Sequence, residues 1–190
     1  MRNALLAFLI FGICGIAYSA NPNVVLIVTG NDHAGTGFVY KDGYILTAAH
    51  LYHKKLYLGK KDGPKLEVVK RDEKLDLMIL KGDVKGSVKF ADAVLDGETL
   101  TESYTLGFLT IIHGRVCAIF ENGILLDSNL MHGSSGAPVF QNGKVIGLVS
   151  RFVVDGQEQV ILGPTMFKVP LIFGRFIYLI PAKTIQEFIQ

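Results

Sequence analysis

The chain has 190 residues, 49% of them hydrophobic and 19% charged, and its formal net charge is +2 at pH 7. This composition provides enough apolar material for a core and too little charge for a disordered chain, so we predict one globular unit. The nearly neutral charge gives no electrostatic basis for binding nucleic acid, and the lysine-rich stretch 53–65 is predicted to be a solvated hairpin.

The first 20 residues have the pattern of a secretory signal peptide. Arg2 supplies a positive charge, the run 4–17 is almost wholly apolar, and residues 17–20, AYSA, place small side chains where a signal peptidase cuts. The alternative is an uncleaved membrane anchor, because the apolar run 4–20 is at the short edge of what spans a bilayer. In both cases we expect the body, residues 21–190, to lie outside the cytoplasm, either secreted or in the periplasm.

The two cysteines are Cys14 and Cys117, and the first lies inside the predicted signal peptide. A lipid-modified Cys14 is disfavoured, because Ile13 before it is bulkier than a lipoprotein-type cleavage site normally accepts. The mature chain therefore keeps one thiol and cannot form an internal disulfide. We predict that Cys117 is a small strand residue in the core.

From residue 21 onward, short runs rich in β-branched and aromatic residues alternate with turn residues, which predicts an all-β barrel or sandwich. Asp42-Gly43 and Asn142-Gly143 are typical of tight turns, and the second is expected to close a two-residue hairpin. The first series of predicted strands covers residues 23–28, 37–40, 44–49, 55–59, 65–72 and 75–80. The second series covers residues 103–108, 114–120, 123–127, 137–140, 144–150, 159–163 and 175–180.

Only the end of the chain, residues 181–190, has helical character. Pro181 suits a helix start, and Ile185, Phe188 and Ile189 fall on one apolar stripe. The stretch 85–100 has the composition of a linker between the two series of strands.

Three residues that could together activate a hydroxyl nucleophile lie in separate segments. His50 ends the segment GTGFVYKDGYILTAAH, Asp76 lies within LDLMIL, and Ser135 lies in the glycine-bounded loop GSSGAP. A serine hydroxyl needs an imidazole to accept its proton, and the imidazole needs a carboxylate to orient it. The backbone N–H groups of Gly133 and Ser135 could donate to one developing oxyanion, which a flexible glycine loop permits.

Each of these residues also has a plainer interpretation. His50 alone could be a hydrogen-bonded histidine at a strand end. Several other acids lie near Asp76 in the sequence and could orient the histidine instead. Asp76 is favoured because it lies between two leucines on a predicted strand, where its carboxylate would be buried and would need a partner. Ser134 competes with Ser135 for the role of nucleophile, and the GxSGxP register selects the second serine.

The remaining histidines give no comparable signal. His50 and His53 are three residues apart, but no matching cysteine or acidic cluster accompanies them, so we predict no metal site. His132, just before the glycine-bounded loop, is predicted to be a solvated turn residue.

Five segments together resemble the chymotrypsin-like, or trypsin-like, serine peptidases, and are most similar to the protease domain of the HtrA type. GTGFVYKDGYILTAAH resembles that family's strand leading to the histidine, and KLEVVKRDEKLDLMILK resembles its aspartate segment. The segment LGFLTIIHGRVCAIF resembles the family's strand pair before the nucleophile. LLDSNLMHGSSGAPVFQNGKVIGLVS resembles its nucleophile loop and hairpin, and YLIPAKTIQEFI resembles its closing helix. These segments cover most of residues 24–190.

The resemblance implies an all-β fold of two packed six-stranded-type β-barrels with a short C-terminal helix. The barrels are expected at about residues 21–90 and 96–180, the closing helix at about 181–190, and the active site in the cleft between the barrels. No PDZ-type domain is expected after the helix. Ala137 departs from the family's pattern, because most members have a second glycine there, and Ser134 occupies a position that is often Asn or Asp.

The resemblance also implies hydrolysis of peptide bonds in polypeptide substrates through an acyl-enzyme, with no cofactor. His50 would be the general base, Asp76 its orienting partner and Ser135 the nucleophile. The amides of Gly133 and Ser135 would form the oxyanion hole.

Substrate contacts are implied for two segments. The strand that lies along the bound peptide in this family carries Ser150, Arg151 and Phe152 here, and the primary pocket would be shaped by Asn129, Leu130 and Met131. The pocket stretch has no acid apart from Asp127 at its start, so we expect cleavage after small or medium apolar side chains. The apolar segment 153–174 could be a lid, a membrane contact or an oligomer surface, and no oligomeric state is predicted.

Two classes of function follow from the sequence. The first is a secreted or periplasmic serine endopeptidase that uses a Ser-His-Asp triad. The alternative is a catalytically silent protease-fold module that binds peptides or proteins. An active peptidase should react covalently at one serine, and a binding module should not.

Overall fold

The computed structural model describes residues 21–153, 159–162, 165–168 and 176–190. The predicted signal peptide lies outside the described residues, as does the segment 153–174 apart from Val153 and two short strands. Within the described part of the chain, every helix is too short or too polar to cross a membrane.

The first half of the chain forms a six-stranded antiparallel sheet. Its strands are β1 (Val24–Thr29), β2 (Ala34–Lys41), β3 (Tyr44–Ala48), β4 (Leu56–Leu58), β5 (Glu67–Asp72) and β6 (Leu77–Lys81). They lie in the order β4-β1-β2-β3-β6-β5. The two edges approach each other just before β5, where Tyr57 forms a bridge with Lys65 and the Leu66 N–H donates to the Leu56 carbonyl at 2.9 Å. The sheet is therefore a barrel with one incompletely paired edge.

The second half forms a closed six-stranded barrel and a C-terminal helix, α1 (Ala182–Ile189). The strands after residue 97 are β7 (Glu98–Thr105), β8 (Phe108–Phe120), β9 (Gly123–Ser128), β10 (Pro138–Gln141), β11 (Lys144–Val153), β12 (Gln159–Leu162), β13 (Thr165–Lys168) and β14 (Phe176–Pro181). The barrel order is β10-β11-β14-β9-β8-β7, and β12 pairs with β13 in a separate two-stranded sheet. These two units and the helix confirm the predicted fold class.

The turns show which local predictions were right. Asn142 (φ 51°) and Gly143 (φ 73°) close the expected two-residue hairpin, with Gln141 paired to Lys144. The predicted strand 103–108 is right for residues 103–105, which lie in β7, but its continuation is wrong. Leu106 and Gly107 form a turn of the same kind between β7 and β8, with φ values of 52° and 83°. Leucine is a rare residue at positive φ, so the sequence gives no turn signal there. Cys117 is also not in the core, because it is exposed on β8.

A hydrophobic cluster joins the two barrels and the helix, and we call it the inter-barrel cluster. It contains Phe38 and Leu46 from the first barrel, Phe140 and Leu148 from the second, and Phe188 from α1. Burying a large apolar side chain stabilises a fold by roughly 1.5–3 kcal/mol. The cluster therefore holds the barrels in one relative position, on which any site between them depends.

The C-terminal helix follows its sequence pattern. Ile185 and Phe188 are buried in the inter-barrel cluster and Ile189 is partly buried against it, as the predicted apolar stripe requires. The helix starts directly after Pro181, whose ring pre-sets a backbone angle compatible with a helix start.

Candidate active site

The histidine and the aspartate come from the ends of neighbouring strands. His50 lies in a single 3-10 turn, Ala49–Leu51, directly after β3, and Asp76 is the last residue of the turn before β6. Because Ala48 pairs with Leu77, these two strand ends lie side by side. The sequence-based placement of Asp76 on a strand is wrong, since it has a φ of 56° in a turn and is only partly buried.

The two side chains form a close contact. The His50 Nδ1 atom lies 2.9 Å from the Asp76 Oδ2 atom and 3.0 Å from Oδ1, and the His50 backbone N–H donates to Oδ1 at 2.9 Å. The contact favours the imidazole tautomer that carries its proton on Nδ1, which leaves the Nε2 lone pair free. The His50 side chain is 45% exposed, so Nε2 can accept a proton from a group in the cleft.

A serine from the second barrel completes the surroundings of Asp76. The Ser150 hydroxyl donates to Asp76 Oδ2 at 2.6 Å, and Ser150 is almost fully buried. Burial alone would raise the pKa of Asp76, but hydrogen bonds from the His50 ring, the Ser150 hydroxyl and the His50 backbone N–H together lower this pKa below its ordinary value. The carboxylate thus stays ionised beside the imidazole. No local sequence pattern indicates this contact, because it joins residues 74 positions apart.

Two glycines shape the loop before β10. Gly133 has a φ of 100°, and the Ser134 N–H donates to the Met131 carbonyl at 3.1 Å, which is the pattern of a type II turn with glycine in its third position. Gly136 has a φ of 82°, and a Cβ atom there would collide with the Thr36 carbonyl. A side chain at either position would strain the backbone that presents Ser135.

Two carbonyl groups of the loop have hydrogen-bond partners among the described residues, whereas the amide groups of the same two residues do not. Thr36 on β2 makes two hydrogen bonds to this loop. Its backbone N–H donates to the Ser135 carbonyl at 2.9 Å, and its hydroxyl donates to the Gly133 carbonyl at 2.8 Å. Within the part of the chain that the structure describes, the N–H groups of Gly133 and Ser135 have no hydrogen-bond partner. Both amide groups are therefore free to donate to a further acceptor.

The two adjacent serines differ in their surroundings. Ser134 is fully buried, and its Oγ lies 3.0 Å from the Ser103 Oγ on β7, which in turn lies 3.1 Å from the Thr110 hydroxyl on β8. Ser135 is partly exposed. The hydroxyl of Ser134 therefore has a structural partner and no path to a substrate, which favours Ser135 as the reactive serine.

Ser135 and His50 line one cleft between the barrels, with a volume of about 990 Å³. Gly133 and His132 also line this cleft. A second cavity of about 430 Å³ is also lined by His50, together with Asp76 and Ser150 among others.

The residues predicted to shape the primary pocket differ in exposure. Asn129 is exposed and Met131 is 44% exposed, so both can contact a bound chain. Leu130 differs from the expectation, because its side chain is 2% exposed and packs in the core of the second barrel. The Leu130 side chain points inwards because the second barrel closes over it. The sequence of a short loop does not reveal this orientation.

On β11, the predicted peptide-binding residues have partners of their own. The Arg151 guanidinium lies 4.7 Å from the centre of the Tyr178 ring, a cation–π contact that leaves Arg151 exposed. Phe152 packs edge-to-face with His132 at 5.7 Å between ring centres. His132 is exposed, as expected of a turn residue, but its ring is supported by this contact.

Comparison with known proteins decides the family. Residues 35–148 match the model of the trypsin-like peptidase domain, and this segment contains His50, Asp76 and Ser135. The chain belongs to the trypsin-like peptidase family. A search of curated protein sequences gives no significant match.

Solved structures share the fold of this trypsin-like peptidase at low sequence identity. The active form of the Rv3671c protease from M. tuberculosis is 20% identical with a TM-score of 0.72, over 88% of this chain and 79% of that one. The serine endoprotease from Yersinia pestis is 18% identical with a TM-score of 0.70, over 87% and 61%. The HtrA-type protease AlgW with a tripeptide is 20% identical with a TM-score of 0.71, over 89% and 59%. The fold is therefore that of trypsin-like and HtrA-type serine proteases.

Proposed function

We propose that this trypsin-like peptidase is a serine endopeptidase in which Ser135, His50 and Asp76 form the catalytic triad. The observation that carries the proposal is the contact between His50 Nδ1 and Asp76 Oδ2 at 2.9 Å. His50 and Ser135 line the same cleft. The two open amide groups of the Ser135 loop support the same reaction.

In the proposed reaction, Ser135 Oγ attacks the carbonyl carbon of a peptide bond while His50 Nε2 takes the hydroxyl proton. The carbonyl oxygen becomes an oxyanion that accepts hydrogen bonds from the Gly133 and Ser135 amides, each worth roughly 3 kcal/mol in the transition state. The tetrahedral adduct collapses as the protonated His50 gives its proton to the leaving amine, which leaves an acyl-enzyme. Water then attacks the ester carbonyl carbon as its proton passes to His50. The protonated His50 returns this proton to Ser135 Oγ as the ester bond breaks, which releases the acid product and restores the Ser135 hydroxyl.

Asp76 has a positioning role in this scheme. Its ionised carboxylate keeps the His50 ring in place and stabilises the imidazolium that forms during each proton transfer. The low pKa of Asp76, which burial opposes and three hydrogen bonds maintain, supports this role.

We propose that the protein acts outside the cytoplasm, in the periplasm or after secretion. The support is the pattern of a signal peptide in residues 1–20, with residues 4–20 as a membrane anchor if cleavage does not occur. The substrates would be polypeptides with a small or medium apolar side chain before the cleaved bond, because the exposed pocket residues Asn129 and Met131 are uncharged.

Labelling with a fluorophosphonate probe tests the activity directly. The chain from Asn21 to Gln190 is expected to be labelled at Ser135, as mapped by mass spectrometry, and Ser135→Ala is expected to abolish labelling. Ser134→Ala is the matched control, since it changes the neighbouring serine and keeps the proposed nucleophile. A folded chain that is not labelled would contradict the proposal and favour the alternative of a silent peptide-binding module.

A further inference from the structure

A buried carboxylate lies against the first described residue of the chain. The backbone nitrogen of Asn21 donates to the Glu102 Oε2 atom at 2.7 Å. Glu102 is on β7 and is only 4% exposed. It is therefore an acidic side chain in a position where acidic residues are rarely found without a charged partner.

Glu102 lacks such a partner among the described side chains. The ion pairs that join two described residues involve other acids, namely Asp32, Glu73, Asp76, Asp96 and Glu98. A peptide N–H at Asn21 supplies one hydrogen bond but no positive charge, and a buried carboxylate needs both to offset the loss of water. An ammonium group on the same nitrogen atom would supply both.

The nitrogen of Asn21 is also held in a defined place. The Asn21 carbonyl accepts a hydrogen bond from the Val24 N–H at 3.0 Å, and its side-chain Oδ1 accepts one from the Asn23 N–H at 3.1 Å. These contacts form a turn at the start of β1 that directs the Asn21 nitrogen at Glu102. The same turn is tied to the first barrel, because the Val39 N–H donates to the Asn23 carbonyl at 2.7 Å.

The peptide bond before this nitrogen is the one that the signal-peptide pattern marks for cleavage. Residues 17–20, AYSA, end at Ala20. Hydrolysis of the bond between Ala20 and Asn21 adds one water, leaves a carboxylate on Ala20, and leaves a protonated amine on Asn21. We propose that this new α-ammonium group of Asn21 forms an ion pair with the buried Glu102 carboxylate, so that removal of the leader completes the contact between the two barrels. The inference rests on the cleaved-leader part of the proposed function and not on the catalytic part.

The position of Glu102 explains why such a pair would matter. On β7 its neighbours on the same face, Leu100 and Tyr104, pack against the inter-barrel cluster. The next residue, Ser103, faces the other way and holds Ser134 in the nucleophile loop. The pair thus connects the turn before β1, in the first barrel, to β7, which supports the reactive loop of the second barrel.

Thermal unfolding of matched chains tests the pair without reference to activity. All chains carry Ser135→Ala to prevent self-cleavage. One chain begins at Asn21, and the other keeps Ser19-Ala20 ahead of it. In the extended chain the Asn21 nitrogen belongs to a peptide bond and carries no charge. We expect the two-residue extension to lower the melting temperature by roughly 3–6 °C. In Glu102→Gln, which accepts hydrogen bonds but carries no charge, the extension should change the melting temperature by less than about 1 °C.

Glu98→Gln is the matched control on the same strand, because Glu98 is exposed and the extension should retain its full effect there. Equal melting temperatures with and without the extension would overturn the proposal. The proposal would also be overturned if the extension lowered the melting temperature of Glu102→Gln as much as that of the chain with Glu102. The extension would then act by steric crowding and not by removing a charge. If the pair is present but fluorophosphonate labelling fails, the proposed activity is wrong and this inference stands.

The natural N-terminus provides a second test. A chain expressed with residues 1–20 in a bacterial host that exports it should yield a mature protein whose intact mass and first residue correspond to Asn21. A mature chain that begins at any other residue, or one that keeps its leader, would contradict the proposal.

Discussion

Replacing Ser150 by alanine removes the only hydroxyl among the described residues that hydrogen-bonds to Asp76. A hydrogen bond to an ionised group contributes about 1.5–3 kcal/mol to stability. The Asp76 side chain is 22% exposed, so water can partly replace the lost donor, and we expect the lower part of that range, about 1.5–2 kcal/mol at neutral pH. If a similar energy supports the His50–Asp76 geometry during catalysis, kcat/KM should fall by about tenfold, which corresponds to about 1.4 kcal/mol.

The same substitution has a defined pH dependence. Because the pKa of Asp76 is lower in the folded than in the unfolded chain, its ionised form stabilises the fold above the ordinary carboxyl pKa. That stabilisation is lost as the pH falls through the lowered folded pKa. Ser150→Ala should raise the pKa of Asp76 towards its ordinary value. The difference in unfolding free energy between the two proteins is therefore largest at neutral pH and shrinks in acid.

Urea unfolding between about pH 3 and pH 7 measures this difference. Circular dichroism is the appropriate signal, because the chain contains no tryptophan. Ser128→Ala is the matched control: Ser128 is equally buried in the second barrel, but its hydroxyl donates at 3.3 Å to the neutral carbonyl of His113. The control should lose stability by a similar amount at every pH. A pH-independent loss in Ser150→Ala, with unchanged kcat/KM, would refute the role assigned to Ser150.

Two further predictions concern the loop and the substrate. Gly136→Ala should lower the unfolding free energy by more than about 2 kcal/mol, because a Cβ there collides with the Thr36 carbonyl at a φ of 82°. Gly143 also has a positive φ, 73°, but open space around it, so Gly143→Ala should lower the unfolding free energy by only about 1 kcal/mol. If urea titrations show that both variants lose the same unfolding free energy, the steric argument is wrong. Profiling with a peptide library should show cleavage after small or medium apolar side chains, and strong cleavage after arginine would contradict the assignment of Asn129 and Met131 to an uncharged pocket.

Local patterns in the sequence predicted the elements that depend on neighbouring residues. The hairpin at Asn142-Gly143 follows from the positive φ that both residues adopt at low cost. The stripe of Ile185 and Phe188 follows from the helical period. The requirement for glycine at position 133 also follows from the short loop, since the turn there needs a positive φ.

Other features could not be predicted, because they depend on how distant strands pack. Leu106 takes a turn conformation that leucine rarely adopts, since the pairing of β7 with β8 requires a two-residue connection at that point. Asp76 lies in a turn and not on the predicted strand, and this difference places its carboxylate next to the His50 backbone N–H. Leu130 is buried because the second barrel closes over it.

By itself, the sequence determined the strand-rich fold class, the C-terminal helix and the three short segments that carry His50, Asp76 and Ser135. These depend on residue type and on spacings of a few positions, which local backbone preferences translate into structure. Only the tertiary structure decided the partners of those segments: Ser150 for Asp76, Ser103 for Ser134, and Glu102 for the nitrogen of Asn21. These pairs join residues 31 to 81 positions apart, and they meet only because two barrels close and pack around a shared apolar cluster.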